Sequence, residues 1–204
     1  PNVLVLDYLR RNRQAKPEIE AKAIEYIQLG YQRLLSYEVS GGGFEWFGRA
    51  PANQVLTAYG LLEFADMAKV YDVDPAVIRR TQEWLISRQK YDGTWEPDRK
   101  SLRDGLYRDE LSGRYGTTAY ITWALLESGY RGEATDRALS YLATRAGEAD
   151  DAYTLSLVAN ALLAGGRDRA ASSVLERIVA KAQERDGKVW YPAGGRTAVY
   201  SAGG

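Results

Sequence analysis

Tyr107, Arg114 and Tyr115 are residues whose types and spacing could do chemistry without a cofactor. A lyase can use tyrosine as acid and base while arginine neutralises a uronate, so that reaction class stays open. Asp72-Val73-Asp74 and Asp150-Asp151 are close clusters of aspartate. An acid-initiated cyclisation needs an Asp-x-Asp-Asp proton donor, and a magnesium-dependent one needs an aspartate-rich motif; neither is present. Asp74 precedes Pro75 and Asp151 precedes an apolar segment, so both read as helix caps. There is no Cys and no His. This excludes thiol nucleophiles, thiolate metal sites and disulfides, and removes the commonest general base and metal ligand. No catalytic residue, metal or cofactor is assigned.

Composition narrows the partners. Lys plus Arg number 27 and Asp plus Glu number 27, so net charge gives no reason to expect nucleic acid or an acidic membrane surface. No apolar run is long enough to cross a bilayer, and the start, at Pro1, does not resemble a signal peptide. The chain reads as a piece of something larger.

The elements that must position any site follow a repeat. A Gly-aromatic turn is followed by an apolar helix: Gly43-Phe44 leads to Thr57-Ala58-Tyr59, Asp92-Gly93-Thr94-Trp95 to Thr118-Ala119-Tyr120, and Asp186-Gly187-Lys188-Val189-Trp190 to Thr197-Ala198. Self-similarity of this kind decides a fold before any single motif does.

Two kinds of helix alternate. Residues 18–35, 75–88, 133–146 and 167–185 carry one apolar stripe and one wet face. Residues 1–13, 53–71, 116–129 and 152–164 are apolar nearly all round, the pattern of helices buried on most sides. Two concentric layers demand this order. The predicted fold is all-α: an α/α toroid of inner and outer helices, with residues 1–204 as one partial domain and an incomplete ring. An inner helix without a neighbour exposes several hundred Å² of apolar surface, worth on the order of several kcal/mol at about 25 cal/mol/Å². Self-association through open ring edges, or closure by further chain, is therefore expected. The long irregular stretch runs from Glu96 to Tyr115. Its length suggests function, against a solvated surface excursion as the alternative.

Two groups of residues are singled out within this frame. Gly43 and Phe44, then Gln89, Asp92, Gly93 and Trp95, then Gln183, Asp186, Gly187 and Trp190 are read as turn staples. The glycine permits a left-handed turn, the aromatic ring plugs the junction, and the Gln bonds backbone groups at the next helix end. Arg103, Asp104, Tyr107 and Tyr115 are read as a candidate partner-contact loop.

Several segments resemble the thioester domain of the alpha-2-macroglobulin and complement family, especially its bacterial branch. They are Pro1-Asn2-Val3-Leu4-Val5-Leu6-Asp7-Tyr8-Leu9, Gly30-Tyr31-Gln32-Arg33-Leu34-Leu35-Ser36-Tyr37, Gly43-Phe44-Glu45-Trp46-Phe47-Gly48, Leu56-Thr57-Ala58-Tyr59-Gly60-Leu61 and Thr118-Ala119-Tyr120-Ile121-Thr122-Trp123-Ala124-Leu125-Leu126-Glu127. The resemblance implies an α/α toroid from a secreted or periplasmic protein that traps proteases or marks surfaces. It implies as partners target proteases and other domains of a parent chain. The family's Cys-x-Glu-Gln thioester motif is absent here and is expected shortly before Pro1. No residue of this chain takes the reactive role. The lack of His implies direct attack by amines on any thioester the parent carries.

Three readings compete. The first is a non-catalytic module of a protease-trapping protein, an endopeptidase inhibitor. The second is an α/α toroid enzyme, a polysaccharide lyase or terpene-cyclase-like protein. The third is an interaction scaffold with a degenerate thioester.

Overall fold

The computed structural model describes residues 1–98, 110–145, 147 and 149–192. Eight helices and four short strands lie among them: α1 Asn2–Arg11, α2 Pro17–Leu35, β1 Glu38–Val39, β2 Gly43–Phe44, α3 Gln54–Met67, α4 Pro75–Ser87, α5 Glu110–Glu127, α6 Glu133–Thr144, α7 Ala152–Ala164, α8 Asp168–Val179, β3 Gln183–Arg185 and β4 Lys188–Trp190. The all-α class read from the sequence holds. The chain divides between Ser87 and Arg88 into two compact units.

In the first unit α3 is the central helix. It buries Thr57, Ala58, Gly60, Leu61, Phe64 and Met67, while its neighbour α2 buries Ile27 alone. That contrast is the inner–outer alternation in physical form: one helix enclosed by packing, the next wet on one side. Asn53 starts α3 by accepting a hydrogen bond from the Leu56 N–H at 2.8 Å. Asp74 accepts one from the Ala76 N–H at 2.8 Å where α4 begins, as its position before Pro75 suggested. The Phe64 ring sits at the centre of the core, edge-on to Tyr31 at 6.0 Å and tilted against Phe44 at 5.5 Å. The strands β1 and β2 form an antiparallel ladder with Glu38 opposite Phe44. Arg80 of α4 grips Glu38 through two bonds of 2.6 and 2.7 Å and fastens this hairpin down.

The expectation of an all-round buried helix over residues 1–13 needs correction. α1 buries Leu6, whereas Leu4, Val5 and Tyr8 are more than half exposed.

In the second unit α5 and α7 are the enclosed helices. Leu155, Leu157, Val158, Ala161 and Leu162 of α7 meet Tyr115, Ala119 and Leu126 of α5, and Ala171, Val174 and Ile178 of α8 close the other side. Asp151 caps α7 by accepting the Thr154 N–H at 2.8 Å, as read from sequence.

Two boundaries differ from expectation. α5 starts at Glu110, inside the stretch read as irregular. Gly113 and Gly116 interrupt the apolar pattern there and hide the helix from a periodicity reading. α8 ends at Val179, not near residue 185, and the chain turns into the β3–β4 hairpin with Gln183 opposite Trp190. Asp186 and Gly187 both have positive φ, 55° and 70°, which is the two-residue turn that joins twisted antiparallel strands.

Candidate functional site

The Gly-aromatic turn of the second unit is built around Gln89. Its Nε2 donates to the Gly93 carbonyl at 3.1 Å and to the Ala134 carbonyl of α6 at 2.8 Å. Its Oε1 accepts from Arg137 at 2.7 Å. One amide side chain therefore ties the turn to the start of the next helix. Gly93 has φ of 84°, and a Cβ there would lie 2.8 Å from the Arg137 carbonyl carbon. Both facts demand glycine. Asp92 accepts from the Thr94 N–H at 3.1 Å and the Thr94 hydroxyl at 2.7 Å. Burial pushes the Asp92 carboxyl up, but the Thr94 hydroxyl and N–H and the Arg114 charge outweigh it and hold the carboxyl below its ordinary range.

The aromatic residue is then delivered into the core. Trp95 is fully buried, and its backbone N–H donates to Thr118 Oγ1 at 3.1 Å. The first unit repeats the arrangement: the Phe44 N–H donates to Thr57 Oγ1 at 2.8 Å. Gly43 supplies the close approach there, since a Cβ would stand 2.5 Å from the Trp84 ring and 2.6 Å from the Ala52 methyl. The two threonine hydroxyls are working parts that motif reading did not assign. The signal was present, because a Thr-Ala-Tyr triplet follows each turn at both places.

The third turn does not form the same object. Gln183 and Trp190 face each other across the β3–β4 ladder and both are exposed. One extra residue between Gly187 and the tryptophan, compared with Gly93 and Trp95, changes the pairing so that Asp186-Gly187 becomes the hairpin tip. Thr197 and Ala198 lie outside the described residues, as do Arg103, Asp104 and Tyr107.

Tyr115 belongs to the core rather than to a contact loop. It is 1% exposed, its ring lies tilted against Tyr141 at 6.0 Å, and its hydroxyl donates to the Leu142 carbonyl at 2.8 Å. A phenol held this way is not available as a general acid or base. Arg114 is paired with Glu96 at 2.5 Å. The tyrosine–arginine grouping that kept lyase chemistry open thus loses two members to structure. Among the described residues no group of three or more His, Cys, Asp or Glu could hold a metal. No described helix is long and apolar enough to cross a membrane.

Geometry therefore describes a framework of clamped turns, and likeness to known proteins says of what. The family model for the A-macroglobulin TED domain matches residues 1–198. The chain belongs to that family. Among curated relatives, Ovostatin of Gallus gallus is 32% identical over 203 residues, covering 97% of this chain and 14% of the relative. Thioester-containing protein 1 allele R1 of Anopheles gambiae is 28% identical over 175 residues, covering 81% of this chain and 13% of the relative. The chain thus spans about one-seventh of the length of these relatives. A TED-family chain without cysteine supplies no thiol, so the thiol half of any thioester is not among these residues. In this TED domain the turn-to-threonine bond recurs once in each unit.

Proposed function

We propose that this chain is the helical body of a thioester-type domain in an alpha-2-macroglobulin-like protein of bacterial origin. The parent traps proteases or takes part in defence, outside the cell or in its envelope. Its partners are target proteases, other domains of the same protein and, through exposed apolar helix faces, further copies of itself. The observation that carries the reading is the family match across residues 1–198, joined to 32% identity with Ovostatin over nearly the whole chain. The chain itself is non-catalytic on this reading. In support, the buried Thr118 serves the Trp95 turn, Asp151 caps α7, and Tyr115 is locked to a main-chain carbonyl.

The test uses the longer polypeptide that contains this sequence. It is incubated with a protease and with labelled methylamine, then resolved under denaturing conditions. Protease carried in a complex supports trapping. Label incorporated at a Cys-x-Glu-Gln motif shows a live thioester, and a complex without label shows non-covalent trapping. Absence of any complex with a panel of proteases sinks the trapping reading and leaves the scaffold reading. Turnover of a polyuronate by this chain would revive the lyase reading.

A further inference from the structure

The first two turns of α5 combine contacts that close them with features that favour their opening. Every other buried threonine hydroxyl described so far has a use, such as Thr57 and Thr118 in the clamps. Thr117 is 1% exposed, and its Oγ1 is buried without a hydrogen-bond partner. Arg114, one turn earlier on the same face, has its Nε buried and likewise unpartnered, while the other end of its guanidinium holds Glu96. A buried polar group without a partner regains hydrogen bonds as soon as water reaches it, so both atoms favour the open state.

The glycines point the same way. Gly113 and Gly116 fall in these two turns, where each weakens a helix relative to alanine. At Gly116 no close approach explains the choice: a Cβ would meet the Thr154 side chain at 3.8 Å, ordinary contact. The rest of α5 is the opposite, with Ala119, Ile121, Ala124 and Leu125 fully buried. Against opening stand the Tyr115 hydroxyl on the Leu142 carbonyl and the Arg114–Glu96 pair.

We propose that Glu110 to Thr117 open and close as one unit on a second unit that otherwise stays folded, with Tyr115 and the Arg114–Glu96 pair as its catch. Opening breaks the Arg114–Glu96 pair and unwinds the start of α5 together. The inference does not rest on the trapping reading and stands or falls apart from it.

Amide hydrogen exchange on the full chain tests it. Amides of Tyr115 to Thr117 should exchange at least tenfold faster than those of Val158 and Leu162 in α7. Gly116→Ala should slow the α5 amides about fivefold and leave α7 unchanged. Thr117→Val, which removes the unpartnered hydroxyl, should slow them several-fold. Tyr115→Phe should speed them. Equal exchange in α5 and α7, or variants that shift both helices alike, would overturn the proposal.

Discussion

The backbone N–H of Trp95 is held by the hydroxyl of Thr118, 23 residues later, at 3.1 Å and out of reach of solvent. Phe44 and Thr57 repeat this bond in the other unit at 2.8 Å. A turn and the helix that follows it are thus joined by a side chain and a main-chain group, so a one-atom change can separate them.

Thr118→Val keeps the volume and deletes the acceptor. The Trp95 N–H is then buried without a partner, and the variant should lose about 1–3 kcal/mol of stability in a urea titration. Thr118→Ser should recover most of it. Thr57→Val should reproduce the effect through Phe44. A neutral Thr118→Val would show that the Trp95 N–H finds water, and the clamp would lose its energetic meaning.

Two glycines with similar backbone angles should respond differently. Gly93→Ala meets both a positive φ and the Arg137 carbonyl within 3 Å, whereas Gly187→Ala at φ 70° meets no atom within 4 Å. The second should cost about 1–2 kcal/mol from backbone strain alone. The first should cost clearly more, or prevent folding, as read from thermal midpoints.

Trp95→Ala should be severe, in the range of about 3–5 kcal/mol for emptying a buried aromatic site. Trp190→Ala should be mild, because that ring is 40% exposed on a hairpin. Similar losses in the two variants would mean that the hairpin tryptophan is covered in solution, which a change in apparent mass would register.

Asp92 makes stability depend on acid. Its folded-state pKa lies below the ordinary value, so the carboxylate form favours folding. That contribution is present above the ordinary Asp value of about 3.9 and is lost as pH falls through the lowered folded value. Asp92→Asn should lower stability at pH 7 and converge with the parent as pH falls below about 4, so that the acid limb of a stability–pH curve flattens. An unchanged acid limb would assign acid lability to other carboxylates.

The helical alternation was legible because burial on one side or on all sides leaves different apolar patterns, as in α2 and α3. The caps Asp74 and Asp151 were legible because their chemistry is local. The start of α5 was not, since Gly113 and Gly116 weaken the local helical signal and the neighbours Tyr115 and Leu142 are distant in sequence. The β3–β4 hairpin was hidden for another reason. Asp186-Gly187 is a turn signal in either setting, and pairing of Gln183 with Trp190 decides which turn it makes. Tyr115 carried no mark of burial, because a tyrosine beside charged residues reads the same whether its ring points inward or outward. The clamp threonines were visible as repeated letters, yet a repeat shows that a residue recurs and not which atom it serves.

The clamp pairs close loops of different length, 13 residues from Phe44 to Thr57 and 23 from Trp95 to Thr118. Closing the longer one costs only about 0.5 kcal/mol more in chain entropy. A fastener that fixes both ends of a segment, and is nearly indifferent to what lies between, works as a cassette holder. The length of chain between the two clamped ends can therefore vary at little entropic cost, provided that Tyr115 and its bond to the Leu142 carbonyl are kept.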